Sequence, residues 1–509
     1  MVKGIGSWLV KHCKVRPDRL AVVYNEKRFT YAQFNERVNR LANALLGLGV
    51  RKGDRVDALL LNTNEMLEAV FACAKIGAIF VPINFRLSVE EVLYIVNDSR
   101  AYHFMYDFRM RPLVDQLRTK DTCLLQYIHV GTQPHEADLP YENLLENASP
   151  EEPGYDIALD DIHLMMYTSG TTGRPKGALL SHGNTQWNAI NFIHNTPVDY
   201  TDITLAAAPM FHIGGMSVFT LPLVYKGGAN ILIDIFDPVK ILQKVNDEQV
   251  TSLFLVPAMW QALMSVPNFE AYDISSLQFA VSGGAPCPIT VIEFFQKRGI
   301  PFYEGFGLTE TAPFVSILDK ENTIRKNGSV GKEPMHTTVR IVDPLDRDVR
   351  PGEVGELIVN GPNVMVGYWN KPEATKEAIK NGWFYTGDLA KFDEEGFIYI
   401  VDRKKDMIIT GGENVYPIEI EQVLFRHPNI REAAIIGYPD EKWGESIKAV
   451  VALKDDSQPL TVIDLEKFLD GKIARFKMPK MVEIVSALPR NATGKILKTV
   501  LRKGNTNVR

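Results

Sequence analysis

Cysteine is scarce. Four residues (Cys13, Cys73, Cys123 and Cys287) are scattered through 509 positions, with no CxxC pair and no histidine cluster nearby. This excludes a zinc site or a disulfide framework and points to reduced thiols in a cytosolic protein. Long apolar runs are missing as well. The strongest, Phe71 to Ile83, is broken by Lys75 and Pro82 and falls short of the ~20 apolar residues a membrane helix needs. Met1 to Pro17 carries Lys3, Lys11, Lys14 and Arg16 along its length with no separate apolar core, so no secretory signal is expected. The closing Thr506-Asn507-Val508-Arg509 is neither a peroxisomal nor an ER address. Excess positive charge is absent too. Lys and Arg total 56 against 62 Asp and Glu, a formal charge of −6, which leaves no electrostatic footprint for nucleic acid. No repeat of fixed period and no low-complexity tract is visible. The expectation is a soluble, cytoplasmic protein without an integral membrane segment.

What is present is an ordinary globular composition, 45% hydrophobic and 23% charged. At ~100–200 residues per domain, the length predicts two to four domains. Thr30 followed by Gln33 forms a capping-box pattern before a helix whose apolar positions run from Tyr31 to Leu46. Val56 to Leu61 reads as a buried strand, Glu65 to Lys75 as a helix and Ile79 to Ile83 as a strand. Ser88 with Glu91 opens another helix, and His103 to Tyr106 resumes strand. This alternation predicts an α/β fold with a parallel sheet covered by helices on both faces. Further strands are expected at Leu253 to Val256, Leu277 to Val281 and Pro301 to Tyr303.

After about Leu345 the texture changes. Glu353 to Asn360 and Gly396 to Val401 read as antiparallel strands. Past Asp402-Arg403-Lys404-Lys405 a small α+β module is expected. It holds helices at Ile418 to Arg426 and Val462 to Leu469, and strands at Ala433 to Ile436, Ala449 to Leu453 and Met481 to Val485. The boundary falls near Lys405, dividing the chain into residues 1–404 and 405–509.

Tyr167 to Gly177 reads Tyr-Thr-Ser-Gly-Thr-Thr-Gly-Arg-Pro-Lys-Gly between two apolar strands. Glycines let backbone amides approach phosphate oxygens, hydroxyls add donors, and Lys176 adds a mobile positive charge. It is not a Walker A loop, since Pro175 precedes Lys176 and Gly177 follows it. Five further segments stand out: Tyr303-Glu304-Gly305-Phe306-Gly307-Leu308-Thr309-Glu310-Thr311, Tyr385-Thr386-Gly387-Asp388, Asp402 to Asp406, Pro489 to Ile496 around Lys495, and Pro209-Met210-Phe211-His212-Ile213-Gly214-Gly215. Taken singly, each has a plain reading as a glycine turn, a solvated charge run, a solubilising loop lysine or a satisfied core histidine.

In this order and spelling, the motifs resemble those of the adenylate-forming superfamily, which includes acyl- and aryl-CoA synthetases, peptide-synthetase adenylation domains and firefly-type luciferases. The resemblance covers nearly the whole chain. It implies a large N-terminal domain of doubly wound sheets with a distorted β-barrel subdomain, followed by a small mobile C-terminal domain hinged at Lys405. It also implies the substrates and cofactors: ATP, Mg2+, a small carboxylic acid and coenzyme A.

Carried over residue by residue, the resemblance assigns nucleotide contacts to Thr168, Ser169, Gly170, Thr171, Thr172, Gly173, Lys176, Gly284, Ala285, Glu304, Gly305, Phe306, Gly307, Thr309, Asp388, Arg403 and Lys495. Phe306 stands where many members have Tyr, so ring stacking on adenine is kept and a hydroxyl contact is lost. Thr309 would touch the α-phosphate, Glu310 and Thr171 would hold magnesium, and Asp388 would accept both ribose hydroxyls. Lys495 would bridge the acid's carboxylate and the α-phosphate as the main catalytic cation. His212 lines the acid pocket together with Gly215, Val256, Gly283 and Gly307. Gly411, Gly412, Glu413, Trp443, Arg475 and Lys477 would receive coenzyme A in the second half-reaction.

The reaction implied is attack of a carboxylate on the α-phosphorus, giving acyl-AMP and pyrophosphate, then thiol attack giving acyl-CoA and AMP. The pocket residues named are mostly small or apolar, with no Arg or Lys among them, which disfavours a dicarboxylic acid. The motif spelling favours a medium- or long-chain fatty acid, and an aryl acid of the coumarate, ferulate or benzoate type is the alternative. A luciferase-like oxygenase, an enzyme loading a carrier protein and a nucleotide-binding pseudoenzyme fit less well: the chain is self-contained, and its phosphate loop and Lys495 are intact. Pairing as a homodimer occurs in the family, and nothing in this sequence speaks to it.

Overall fold

The computed structural model describes residues 4–168, 174–490 and 495–504. Two eight-stranded sheets form the large N-terminal domain. In the first, five parallel strands (Phe302–Gly307, Phe279–Ser282, Ser252–Leu255, Ile203–Ala206 and Ala229–Leu232) pair in that order. Leu20–Tyr24 continues them in parallel, with Lys27–Thr30 and Phe314–Ile317 added antiparallel at the two edges. In the second, Ile79–Pro82, Arg55–Leu59, His103–Asp107 and Gln126–Val130 run parallel. Ile162–Thr168 joins Ile79–Pro82, and Lys176–Ser181 turns back along it. The predicted strands and helices of the first hundred residues fall within a few residues of these bounds. Both predicted capping boxes close, with Thr30 receiving Gln33 N–H at 3.3 Å and Ser88 receiving Glu91 N–H at 3.4 Å.

The two sheets share one core. Ala21 and Val22 from the first, Val56 and Phe80 from the second, and the helices Tyr31–Gly47 and Asn64–Ile76 all contribute to it. Every residue of Asn64–Ile76 is buried, as a helix enclosed on all sides requires. Its polar residues are therefore paired. Glu68 takes Arg37 at 2.7 Å and the Tyr141 hydroxyl at 2.5 Å, and Lys75 meets Glu152 at 2.6 Å.

Where the barrel-like subdomain was expected, five antiparallel strands form a third sheet: Thr338–Val342, Gly355–Asn360, Trp383–Phe392, Ile379–Lys380 and Ile398–Arg403. The small C-terminal domain has its own sheet and core. Its central hairpin, Ile430–Asp440 with Gly444–Leu453, is much longer than the apolar segments that had marked it. Polar residues such as Tyr438 to Asp440 carry the ladder past the core, where burial no longer dictates the sequence. Met481–Ile484 then pairs with Gly444–Leu453 in parallel.

Candidate active site

One cavity of about 1770 Å³ lies where the two large sheets, the antiparallel sheet and the small domain meet. The phosphate-loop segment enters from an antiparallel hairpin, with Thr168 directly opposite Lys176. Ser169, Gly170, Thr171, Thr172 and Gly173 lie outside the described residues, so only the two ends of the loop are placed here. Beside them sits Glu310. Its carboxylate accepts the Tyr368 hydroxyl at 2.9 Å and the Thr168 hydroxyl at 3.4 Å, and the Lys176 ammonium lies 5.1 Å from the centre of the Tyr368 ring. Among the described residues no three His, Cys, Asp or Glu cluster as a metal cage. A single carboxylate beside a phosphate loop fits magnesium, which keeps its waters and takes one or two carboxylates plus substrate phosphates. When bound there it would neutralise phosphate charge.

A flat slot follows. Gly283 and Gly284 face the strand Phe302–Gly307, and Gly284 has φ +83°, where a side chain would be strained. A Cβ on Gly283 would stand 3.3 Å from the Gly305 carbonyl, and one on Gly307 would stand 1.9 Å from the Pro313 carbonyl. Gly305, Phe306, Thr309, Ala285 and Glu304 line the same cavity. Glu304 is fully enclosed, and burial pushes its carboxyl up to about 8 although Gly328 donates a backbone N–H at 3.0 Å.

On the opposite wall Asp388 and Arg403 are cross-strand partners, and the guanidinium Nε lies 2.6 Å from Asp388 Oδ1. Asp388 is 2% exposed, and its Oδ2 has no hydrogen-bond partner among the described residues. One carboxylate oxygen is thus fixed by arginine and the other is left for a ligand. Lys495 reaches the same place. Burial first, then Arg403, pull its ammonium down to about 8, with Asp388 and Asp406 opposing. Lys405 also borders the cavity.

The apolar limb opens beside His212. Burial, with Arg86 nearby, holds this imidazole down to about 3, so it is neutral. Gly215 and Val256 border the same cavity. A Cβ on Gly215 would fall 2.2 Å from the Pro209 carbonyl, so glycine is required there by its own turn.

None of the six residues expected to meet coenzyme A borders the cavity. Gly411 donates its N–H to the Trp443 carbonyl at 2.9 Å, and Trp443, 41% exposed, is flanked by Lys442 and Lys480. Lys477 is paired with Glu419 at 2.7 Å.

Sequence reasoning missed several contributors. Tyr368 reaches Glu310 from a two-residue strand, Gly367–Tyr368, and the adjacent Gly-Tyr-Trp run was its only signal. Arg86 borders the cavity beside His212, so a cation does approach the acid limb from a segment the motifs did not cover. Phe192, Phe254 and Phe314 wall that limb but looked like ordinary core residues in the sequence.

Comparison with known proteins bears on this geometry. The AMP-binding enzyme family matches residues 9–369, and its C-terminal domain matches residues 419–495. The chain belongs to the AMP-binding enzyme family. A feruloyl-CoA synthase of an Amycolatopsis species is 42% identical over 501 residues, covering 98% of this chain and 99% of that one. A long-chain-fatty-acid–CoA ligase of Mycobacterium tuberculosis is 38% identical over 505 residues, covering 99% and 98%. Among solved structures, an O-succinylbenzoate coenzyme A synthetase of Bacillus subtilis in complex with ATP and magnesium superposes with a TM-score of 0.85 at 32% identity, covering 97% of this chain and 98% of that one.

This AMP-binding enzyme is therefore an ATP-dependent acid–thiol ligase of the AMP-forming acyl-CoA synthetase type, using ATP, Mg2+ and coenzyme A. The chemistry explains why the cavity is built as it is. A carboxylate resists nucleophiles and has no good leaving group. Joining it to the α-phosphorus brings two anions together, so positioning and charge neutralisation dominate. No helix among the described residues is long and apolar enough to cross a membrane.

Proposed function

We propose that the acid activated is an aryl acid, of the size and shape of a hydroxycinnamate. The observation that carries this reading is the aromatic construction of the acid limb. Phe192, Phe254 and Phe314 face the cavity, and Phe219, Phe279 and Tyr303 pack behind them in the same cluster. Ring contacts run unbroken from Phe314 through Phe192, Phe219 and Phe279 to Tyr303, with centroids 5.1–5.7 Å apart. Such a layer accommodates a flat ring by edge and face contacts and leaves no soft wall behind it for a long polymethylene tail. The 42% identity to a feruloyl-CoA synthase supports the same reading. A medium- or long-chain fatty acid is the second reading, favoured by the apolar lining and by the 38% identity to a fatty-acid ligase.

In either case the residue roles proposed are those the family resemblance assigns, and the shared cavity supports them. Lys495 joins the acid's carboxylate to the α-phosphate, Asp388 takes the ribose hydroxyls through its unpartnered oxygen, Phe306 stacks on adenine, Thr309 touches the α-phosphate and Glu310 holds magnesium. Residues 1–404 form one body and 405–509 the other. Rotation at Lys405 withdraws Lys495 after adenylation, brings Gly411 to Glu413 to the thiol tunnel, and offers Trp443, Arg475 and Lys477 to the nucleotide end of coenzyme A. The deciding experiment is pyrophosphate release with ATP and magnesium across acetate to palmitate, benzoate, cinnamate, coumarate and ferulate, with and without coenzyme A. CoA-dependent turnover peaking on the phenylpropenoates is expected. A peak on an aliphatic acid would overturn the aryl reading and leave the ligase in place.

A further inference from the structure

Hydroxyl groups interrupt the apolar lining of the cavity: Ser282 is one, and Ser217 and Ser316 are two more beside the phenylalanines. Ser217 and Ser316 are both fully buried and both border the cavity, and neither Ser217 Oγ nor Ser316 Oγ has a hydrogen-bond partner among the described residues. Burying a hydroxyl without a partner costs about 1–3 kcal/mol, and buried polar groups are otherwise almost always satisfied. Packing gives no reason for the oxygens, because alanine would fill either place among phenylalanines without that penalty.

The two serines come from distant parts of the chain, and one side chain fixes their walls together. Ser217 ends the short helix Ile213–Ser217, and Ser316 lies on the edge strand Phe314–Ile317. Between them stands Asn188, itself fully buried. Its Nδ2 donates to the Ser217 carbonyl at 2.9 Å, and its Oδ1 accepts the Phe314 N–H at 2.9 Å. The backbone of both walls is thus satisfied, and the hydroxyls are the polar groups left over. Both can donate and accept, so the partner they fit is an oxygen-bearing substituent on an otherwise apolar ligand.

We propose that Ser217 and Ser316 are specificity-determining residues that hydrogen-bond a hydroxyl or ether oxygen carried on the ring of the acid. This rests on the aryl reading above and narrows it to oxygen-substituted rings. A site built to pair with a substrate hydroxyl rejects the analogue lacking it, because its own polar groups are then stranded.

The test uses the full chain and three acids: cinnamate, 4-hydroxycinnamate and 4-hydroxy-3-methoxycinnamate. The quantity read is the ratio of kcat/KM for a substituted acid to that for cinnamate, measured within each of wild type, Ser217→Ala and Ser316→Ala. Because the ratio is internal to one preparation, partial loss of folded protein cancels. Wild type is expected to favour the substituted acids, and each alanine is expected to lower the ratio about tenfold. Wild-type preference for the substituted acids with ratios unchanged in both variants would overturn the proposal and leave the aryl reading intact. Equal use of all three acids by wild type would also overturn it. Turnover of aliphatic acids alone would overturn the aryl reading and this proposal with it.

Discussion

Glu304 allows a direct check on the electrostatics of the cavity. Its carboxyl is buried in the slot, accepts backbone N–H groups from Gly328 and Cys287, and has no cation among the described residues to compensate for lost hydration. Burial raises it from 4.5 to about 8. In the unfolded chain the proton leaves near the ordinary value, so between 4.5 and about 8 the folded state holds one proton more. Stability from this group is therefore complete below 4.5 and is lost as pH rises through about 8. The gap between the two values corresponds to ~5 kcal/mol in all, and about 3 kcal/mol of it falls between about pH 6 and about pH 9.

Glu304→Gln keeps the shape and the acceptor oxygen while removing the ionisation. Urea unfolding of wild type and variant at the two pH values gives the result as a difference of differences, so titrations elsewhere in the chain cancel. Relative to the variant, wild type is expected to lose about 3 kcal/mol on going to the higher pH. A constant difference across that range would refute the reasoning, because it would mean that Glu304 is ionised in the folded protein throughout.

Four other outcomes are expected. Lys495→Met should abolish pyrophosphate release from acid and ATP while leaving CoA attack on pre-formed acyl-AMP measurable, a split that simple unfolding would not give. With Lys495 drawn down to about 8, kcat/KM for ATP, which reports the free enzyme, should fall as pH rises above that value. Arg37→Ala would strand the buried Glu68 carboxylate, and a loss of about 3–5 kcal/mol in chemical denaturation is expected. Lys498 pairs with Glu421 at 2.8 Å beside Asp402 and so ties the segment after Lys495 to the stretch around Asp402. Lys498→Met should slow adenylation more than thioester formation, and equal slowing of both steps would refute that link.

The legible parts of this fold were those where local chemistry leaves one solution. Thr30 with Gln33 and Ser88 with Glu91 each satisfy two helix-end groups reciprocally, and both boxes form. The buried strand at Val56 and the enclosed helix after Asn64 were carried by apolar content alone. The hairpin Ile430–Asp440 with Gly444–Leu453 was only half legible. Its core end is apolar, but its far end is held by backbone pairing, which any polar residue can supply. In the site, Asp388 and Arg403 stood out through their motifs, while their direct opposition across two strands needed the register. Arg86 and Asn188 were invisible because each acts on a residue more than a hundred positions away, and Tyr368, 58 positions from Glu310, had only the Gly-Tyr-Trp run to mark it.

The cavity sorts charge by position, and that sorting fits the order of the chemistry. Burial holds three titratable groups of the cavity neutral: His212 in the apolar limb is drawn down to about 3, Glu304 in the slot is pushed up to about 8, and the Cys287 thiol is pushed up. On the opposite wall Arg403 pairs directly with Asp388, whose carboxyl burial pushes up, and Lys495 approaches the same pair with its ammonium drawn down to about 8. On the proposed reading, an incoming carboxylate would find apolar contact for its body in the limb and the cations Arg403 and Lys495 where its oxygens meet phosphate. Arg86 marks the border between the two regions. On the same reading a neutral Glu304 suits this arrangement, since an ionised one would place a further anion beside the slot. The same desolvation that gives Glu304 its pH-dependent effect on stability thus removes a charge that would repel both substrates.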